Sequence, residues 1–289
     1  MKKRLWSSKI LVNGFFVVLC LLMLIPFFII IFSSLQSKTD FLHNGYVIFP
    51  KKIDFSSYKY IFNHPHQLFE SYGVTIVVTT VGTLLGMTMM VTLAYVISRD
   101  DYPYKNIISF FIYFTMLFSG GMVANYIWIT KYLHMANSIW ALILPLLISP
   151  FNVFILRTTC KAIPFSLIEN AKLEGANEFW IFIKIIVPLS VTGIATIALM
   201  TIFLYWNSWF NSMLYIHDNS YVTLQYYLVQ LLEGASEELN SMDKASASMI
   251  SDEAFEMALC TLAMVPMLFV FSALQKYFIK GVTVGSVKG

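Results

Sequence analysis

Charge is what this 289-residue chain has least of: Lys, Arg, Asp and Glu make up 12% of it, against 58% hydrophobic residues. Soluble domains carry about 25% charged residues, so a soluble fold is excluded. In six stretches charge disappears altogether: residues 10–37, 71–98, 106–130, 132–156, 185–217 and 257–275 hold no Lys, Arg, Asp or Glu. About 20 apolar residues in helical form cross a hydrocarbon layer of roughly 30 Å. Each stretch therefore holds one crossing. The composition, with a mean hydropathy of +0.70, implies an all-α integral membrane protein with six transmembrane helices. They are expected near Ile10–Phe32, Tyr72–Ile97, Ile107–Trp128, Ile139–Thr159, Ile185–Tyr205 and Met257–Lys276.

Other absences narrow the function. An ionisable group inside a membrane span is costly and is kept for a purpose such as ion coupling. None lies in the six apolar cores, which excludes the usual ion-driven carrier. No G-x-x-x-x-G-K-[ST] loop is present; Gly281 and Gly285 are one residue too close and are followed by Ser286 and Val287. A nucleotide site of its own is excluded too. The three cysteines, Cys20, Cys160 and Cys260, have neither C-x-x-C spacing nor a grouped His, which argues against a disulfide or metal framework. His43, His64, His66, His134 and His217 read as solvated residues in loops or at span edges. A membrane protein with no energy source of its own is a passive pore, an enzyme, or a subunit driven by a partner.

What charge there is lies unevenly. Lys and Arg gather on the cytoplasmic side of membrane proteins. With the N-terminus inside, 13 Lys and Arg face the cytoplasm and 6 face out, while the acids divide 5 and 11. Both termini are thus expected inside, and the pI of 8.6 reports topology, with no nucleic-acid partner implied. Lys2, Lys3 and Arg4 precede an apolar run too long for a signal peptide, so the run is read as a retained first helix. The expected layout is a cytoplasmic N-terminus (1–9), a six-span transmembrane domain (10–276) with a cytoplasmic loop (160–184) and an outer loop (206–256), and a cytoplasmic tail (277–289).

One cytoplasmic stretch stands out, residues 169–188, ENAKLEGANEFWIFIKIIVP. Ser166 and Glu169 have capping-box spacing, Gly175 is placed to end a short helix, and Asn177 can cap a second one leading to Pro188 and the fifth span. Ala171 and Gly175 would allow close approach to another protein's groove. The segment reads equally well as an amphipathic helix on the lipid surface, where Lys161, Lys172 and Lys184 meet anionic headgroups.

The order Glu169, Ala171, Gly175, Ile185, Pro188 resembles the E-A-A-x-x-x-G…I-x-L-P loop of importer-type ABC permeases. Further matches follow in the family's order: Ala94–Arg99 (AYVISR), Phe118–Met122 (FSGGM), Asn137–Pro145 (NSIWALILP), Phe151–Thr158 (FNVFILRT), Tyr205–Asn211 (YWNSWFN) and the tail Gln275–Gly289. Together they resemble the second, maltose-type permease subunit of type I carbohydrate importers, in particular the branch for complex oligosaccharides. Asn170 departs from the usual Ala and Val187 from the usual Leu, and neither alters the bend or the acidic anchor. The resemblance implies a second homologous permease subunit, two ATPase subunits that use ATP and Mg, and an extracytoplasmic sugar-binding protein. It implies no cofactor or catalytic residue in this chain. Glu169, Ala171, Gly175, Ala176 and Pro188 would couple to the ATPase, and Gly285, Lys288 and Gly289 of an extended tail would touch it.

For the cargo, sugar rings pack on aromatic faces and need amide partners. Trp206, Asn207 and Trp209 offer both, although an interfacial aromatic belt has the same composition. Gly120, Gly121 and Asn152 could expose backbone to a water-filled path. Gly82 and Gly86, with Thr75, Thr79, Thr192 and Thr196, either let helices pack closely or line a cavity. The long acidic outer loop, with an amphipathic helix at Tyr221–Leu232, is a lid or a contact for the binding protein. A polytopic membrane enzyme would need a paired acid and base, and the acidic loop has no such companion.

Overall fold

Apolar side chains without breaks at the ends of a run make long helices, and three are long enough to span a membrane alone: Val12–Ser33, His66–Ser98 and Glu253–Ala273. They belong to α1 (Lys2–Ser33), α4 (Pro65–Ser98) and α15 (Asp252–Ser286). The computed structural model describes residues 2–241, except 48, 51 and 64, and residues 252–286. Pro26 and Pro266 lie inside α1 and α15 without ending them, as apolar surroundings tolerate.

The other three apolar runs are each broken into two helices. The third run bends by 111° between α5 (Lys105–Leu117) and α6 (Gly121–Ile127), which continues into a π-helical turn to Tyr132. The fourth bends by 52° between α7 (Ile139–Ile143, extended to Leu146) and α8 (Pro150–Lys161). Ser149 causes the restart: its Oγ accepts the Asn152 N–H at 3.4 Å, and Pro150 occupies the first helical position. After α9 (Phe165–Leu173), the fifth run bends by 80° between α10–α11 (Glu178–Ile181, a π turn, Val187–Leu189) and α12 (Val191–Trp206). Among the described residues there are thus three clear spans, and up to six if each bent pair counts as one.

The chain divides into two compact units. The first is Met1–Leu68 with Leu228–Pro266. It contains α1, α2 (Lys38–Asn44), α3 (Ser56–Asn63), most of α14 (Leu224–Ser241) and the start of α15. None of the apolar window of α1 is buried, a helix dressed for lipid. Tyr60 meets Phe255 edge-on at 5.7 Å, and Ser34 Oγ shares a 2.7 Å hydrogen bond with Tyr58 Oη.

The second unit, Phe69–Tyr227 with Met267–Gly289, holds the rest, including α13 (Phe210–Tyr215). Its core forms where α4 meets α8 and α12: Met87, Met90, Val91, Ala94, Ile97, Val153, Leu156 and Ile197. Two of the three α4 glycines, Gly82 and Gly86, lie at close packing contacts. A Cβ on Gly82 would come within 2.4 Å of the buried Tyr205 ring, and one on Gly86 within 2.6 Å of the Leu147 carbonyl oxygen. Tyr205 cannot yield easily, because its Oη donates to the Ile143 carbonyl at 2.8 Å. The glycines therefore serve packing.

Two expectations need correction. The fifth run was expected to be one helix from Ile185; it is broken at Ser190, and the helix after the break, Val191–Trp206, has 16 residues, about 24 Å. Pro188 sits in the short helix before that break. The tail was expected to be extended from Gly281; α15 stays helical through Gly281 and Gly285 to Ser286, because one glycine weakens a long helix by only about 1 kcal/mol.

Candidate functional site

Pro164 sets the start of the charged segment. Its backbone is extended (φ −57°, ψ 127°), and α9 begins at the next residue without any side-chain cap. The expected capping box is absent: Ser166 already lies within the first turn. The other end follows expectation. Gly175 adopts φ +86°, its N–H donates to the Lys172 carbonyl at 3.0 Å, and the Ala176 N–H donates to the Ala171 carbonyl at 2.9 Å. These paired bonds are a Schellman stop. Its usual apolar contact is here too, since Ala171 and Ala176 join one cluster with Tyr95, Ile168, Ile181 and Ile186. Asn177 then caps α10, its Oδ1 accepting the Trp180 N–H at 2.8 Å.

Side-chain positions separate roles that the spacing ran together. Ala171 is 7% exposed, packed inside its own chain, so its small size serves the internal bend. Glu169, Gly175 and Pro188 are exposed. Beside them Leu173 and Phe179, at 86% and 74% exposure, present large apolar side chains on a rigid corner.

An ion cluster braces this corner against the end of α4. Arg99, whose side chain is 7% exposed, sends Nε to Asp101 Oδ1 at 2.7 Å and Nη1 to Glu178 Oε2 at 3.0 Å. Tyr95 Oη also donates to Glu178 Oε2, at 2.8 Å. Lys172 closes the ring, 3.2 Å from Asp101 and 2.9 Å from Glu178. The guanidinium lies 5.8 Å over the Phe165 ring. The hydrogen bond from Arg99, helped by Lys172, holds the Asp101 carboxyl well below the usual range. The bond to Glu178 raises the Lys172 ammonium above its ordinary value. Sequence reading missed this cluster because its members come from segments 71 and 79 positions apart.

The expected substrate-path residues are scattered. Trp206 is 5% exposed and borders a cavity of about 310 Å³ with Thr79, Thr80 and Thr83. The Thr79 and Thr83 hydroxyls have no partner among the described residues. Asn207 is exposed, its Nδ2 donating to the Phe203 carbonyl at 2.9 Å, and Trp209 is 41% exposed. Gly120 and Gly121 form the 111° break, with Gly121 at φ +80°. Asn152 is buried in the first turn of α8. Gly285 lies in the last turns of α15, whereas Lys288 and Gly289 fall outside the described residues.

A larger cavity, of about 430 Å³, lies at the end of the bent spans opposite the charged corner. Trp128, Trp140, Phe210 and Tyr215 wall it, with Asn125 and Asn211 between them. Three separate segments contribute, so no local motif marked it. Among the described residues no group of three or more His, Cys, Asp or Glu could hold a metal ion.

Comparison with known proteins agrees with this geometry. The pattern of the family described as binding-protein-dependent transport system inner membrane component matches residues 102–284. The chain is 36% identical over 290 residues, covering all of both chains, to the polygalacturonan/rhamnogalacturonan transport system permease protein YtcP of Bacillus subtilis (strain 168). It is 29% identical to the arabinooligosaccharides transport system permease protein AraQ of the same organism, covering 97% of this chain and 96% of that one. A chain from the crystal structure of a bacterial ABC transporter involved in the import of the acidic polysaccharide alginate superposes with a TM-score of 0.80 at 26% identity, covering 94% of this chain and 96% of that one. This all-α multi-pass membrane chain, with its braced corner, belongs to the binding-protein-dependent transport system inner membrane component family, as a permease subunit of a carbohydrate-import ABC transporter whose ATP is hydrolysed by a separate subunit.

Proposed function

We propose that this chain forms half of the translocation path of an oligosaccharide importer, beside a second homologous permease subunit. The cargo is an acidic, polyuronate-type oligosaccharide. Support comes from two independent likenesses, one to a permease named for polygalacturonan and rhamnogalacturonan and one to a transporter of alginate. Both termini face the cytoplasm, in keeping with the excess of Lys and Arg on that side.

The observation that carries the mechanism is the corner itself. α9, Gly175 and α10 hold Leu173 and Phe179 out from a braced base, a shape suited to a groove on one of two ATPase subunits. Closure of the ATPase pair on ATP and Mg would push on Glu169, Gly175 and the exposed apolar tips. Ala171 and Ala176 would keep the bend rigid from within, and Pro188 would sit at its exit toward α12. Arg99, Asp101, Lys172 and Glu178 would pass the push to α4, because charge-assisted bonds from a nearly buried guanidinium resist shear in several directions. Gly285, Lys288 and Gly289 would add a tail contact to the ATPase.

An extracytoplasmic sugar-binding protein would deliver the cargo at the opposite end. Gly120, Gly121, Asn152, Trp206, Asn207 and Trp209 would line the path as the bent spans rearrange. The test is reconstitution with binding protein and ATPase, followed by uptake of labelled tetragalacturonate. ATP-dependent accumulation is expected. Accumulation of a neutral tetrasaccharide such as maltotetraose with no uptake of tetragalacturonate would overturn the cargo class.

A further inference from the structure

We infer that the cavity walled by Trp128, Trp140, Phe210 and Tyr215 is a glycan subsite that takes one pyranose ring of the cargo. The subsite rests on the oligosaccharide cargo proposed above. At about 430 Å³ the space falls in the range of roughly 300–1,000 Å³ usual for small-molecule sites. Trp128 and Trp140 are 57% and 45% exposed and both line the space. Sugar C–H faces pack on such aromatic surface, while their hydroxyls seek amides. The amides are in place: Asn125 and Asn211 both line the cavity. The Asn211 Nδ2 has no acceptor among the described residues. Among the described residues no charged side chain lines the space, so the ring is read by its face and hydroxyls and its carboxylate points away.

The wall is held in a set shape. His134 and Asn137 both adopt left-handed backbone conformations, at φ 50° and 54°, which are uncommon outside glycine, although Asn and His adopt them more readily than most residues, and which the surroundings enforce here. The enforcement is visible at Asn137: its N–H donates to the Tyr215 carbonyl at 2.9 Å, and its Oδ1 accepts the His217 N–H at 2.6 Å. These bonds fasten the connection after α6 to the segment after α13, the two sides of the cavity.

Tetragalacturonate is the probe, added to the assembled importer in lipid nanodiscs without binding protein. Saturable quenching of tryptophan fluorescence is expected. Trp140→Ala and Asn211→Leu should each raise the half-quenching concentration about tenfold, and Trp140→Phe should return it to within about threefold of wild type. Recovery of intact complex and its glycan-free ATP hydrolysis report folding of each variant. Hydroxyl-radical footprinting of Trp128 and Trp140 in the unmutated complex gives the same answer without substitution, with protection by the tetrasaccharide expected. Absent protection, unshifted quenching in both variants, or displacement of the probe by oleate, the sign of an acyl-chain groove, would overturn the subsite. ATP-driven uptake of tetragalacturonate without Trp140-dependent quenching contradicts the subsite alone. Quenching without uptake contradicts the cargo and leaves the subsite standing.

Discussion

Arg99 and Glu178 stand 79 positions apart in the sequence, yet Arg99 Nη1 lies 3.0 Å from Glu178 Oε2, joining the end of α4 to the start of α10. Removing one partner leaves the other with unmet hydrogen bonds. Arg99→Ala is expected to weaken this joint by roughly 1.5–3 kcal/mol, toward the lower figure because the Glu178 side chain is 56% exposed. ATP hydrolysed per sugar imported should rise in the variant while the complex still assembles. Arg99→Lys should restore little, since lysine lacks the planar fork that meets Asp101 and Glu178 together. Wild-type coupling in Arg99→Ala would show that the joint transmits nothing.

Gly175 has open space around an added Cβ but a backbone at φ +86°. The cost of a side chain there is conformational, about 1–2 kcal/mol for a residue forced into the left-handed region. Gly175→Leu should keep its membrane abundance and lose most sugar uptake, whereas Gly175→Asn should retain much of it, because Asn tolerates that region. Equal uptake by both variants would contradict a role for the bend.

Two of the three α4 glycines, Gly82 and Gly86, differ from the third, Gly73. Gly86→Ala meets the Leu147 backbone and Gly82→Ala the Tyr205 ring, while Gly73→Ala meets nothing within 4 Å. The first two should each cost about 1–3 kcal/mol by overpacking. Gly73→Ala should be neutral or stabilising, as expected for Ala in place of Gly within a helix. Thermal unfolding of the purified complex checks the order, and a destabilised Gly73→Ala beside unchanged Gly82→Ala would contradict it.

The pH response of the corner follows from its charges. The Asp101 carboxyl is lowered, chiefly by its bond to Arg99, so its stabilisation is present above the ordinary carboxylate range and is lost as pH falls through the lowered value. The Lys172 ammonium is raised, chiefly by its bond to Glu178. Its contribution is full below the ordinary lysine range and is lost as pH rises through the raised value. Cluster stability should therefore be flat between about pH 5 and 9. Asp101→Asn should remove part of the loss of thermal stability seen below about pH 4, and an unchanged acid limb would contradict the assignment.

Local chemistry decided how much of this was legible in the sequence. The stop at Gly175 and the cap at Asn177 each depend on a few neighbouring residues, and both stood in the sequence. The bend at Ser190 did not, because apolar residues continue on both sides and hydropathy carries no direction. Ser166 looked like a cap by spacing, but Pro164 had already set the helix start. Ala171 was legible as small, while which way it faced was not; it faces inward. The ion cluster and the aromatic cavity depend on contacts between distant segments, which a local pattern cannot carry.

The most direct test of a permease moved by a separate ATPase is a crosslink at the corner. With Cys20, Cys160 and Cys260 replaced, Leu173→Cys is paired in the assembled importer with single cysteines along the ATPase groove. Oxidation should join the two subunits and stop sugar uptake, and reduction should restore it. No crosslink from position 173 or from Phe179→Cys to any groove position, in a complex that still imports sugar, would contradict the proposed coupling.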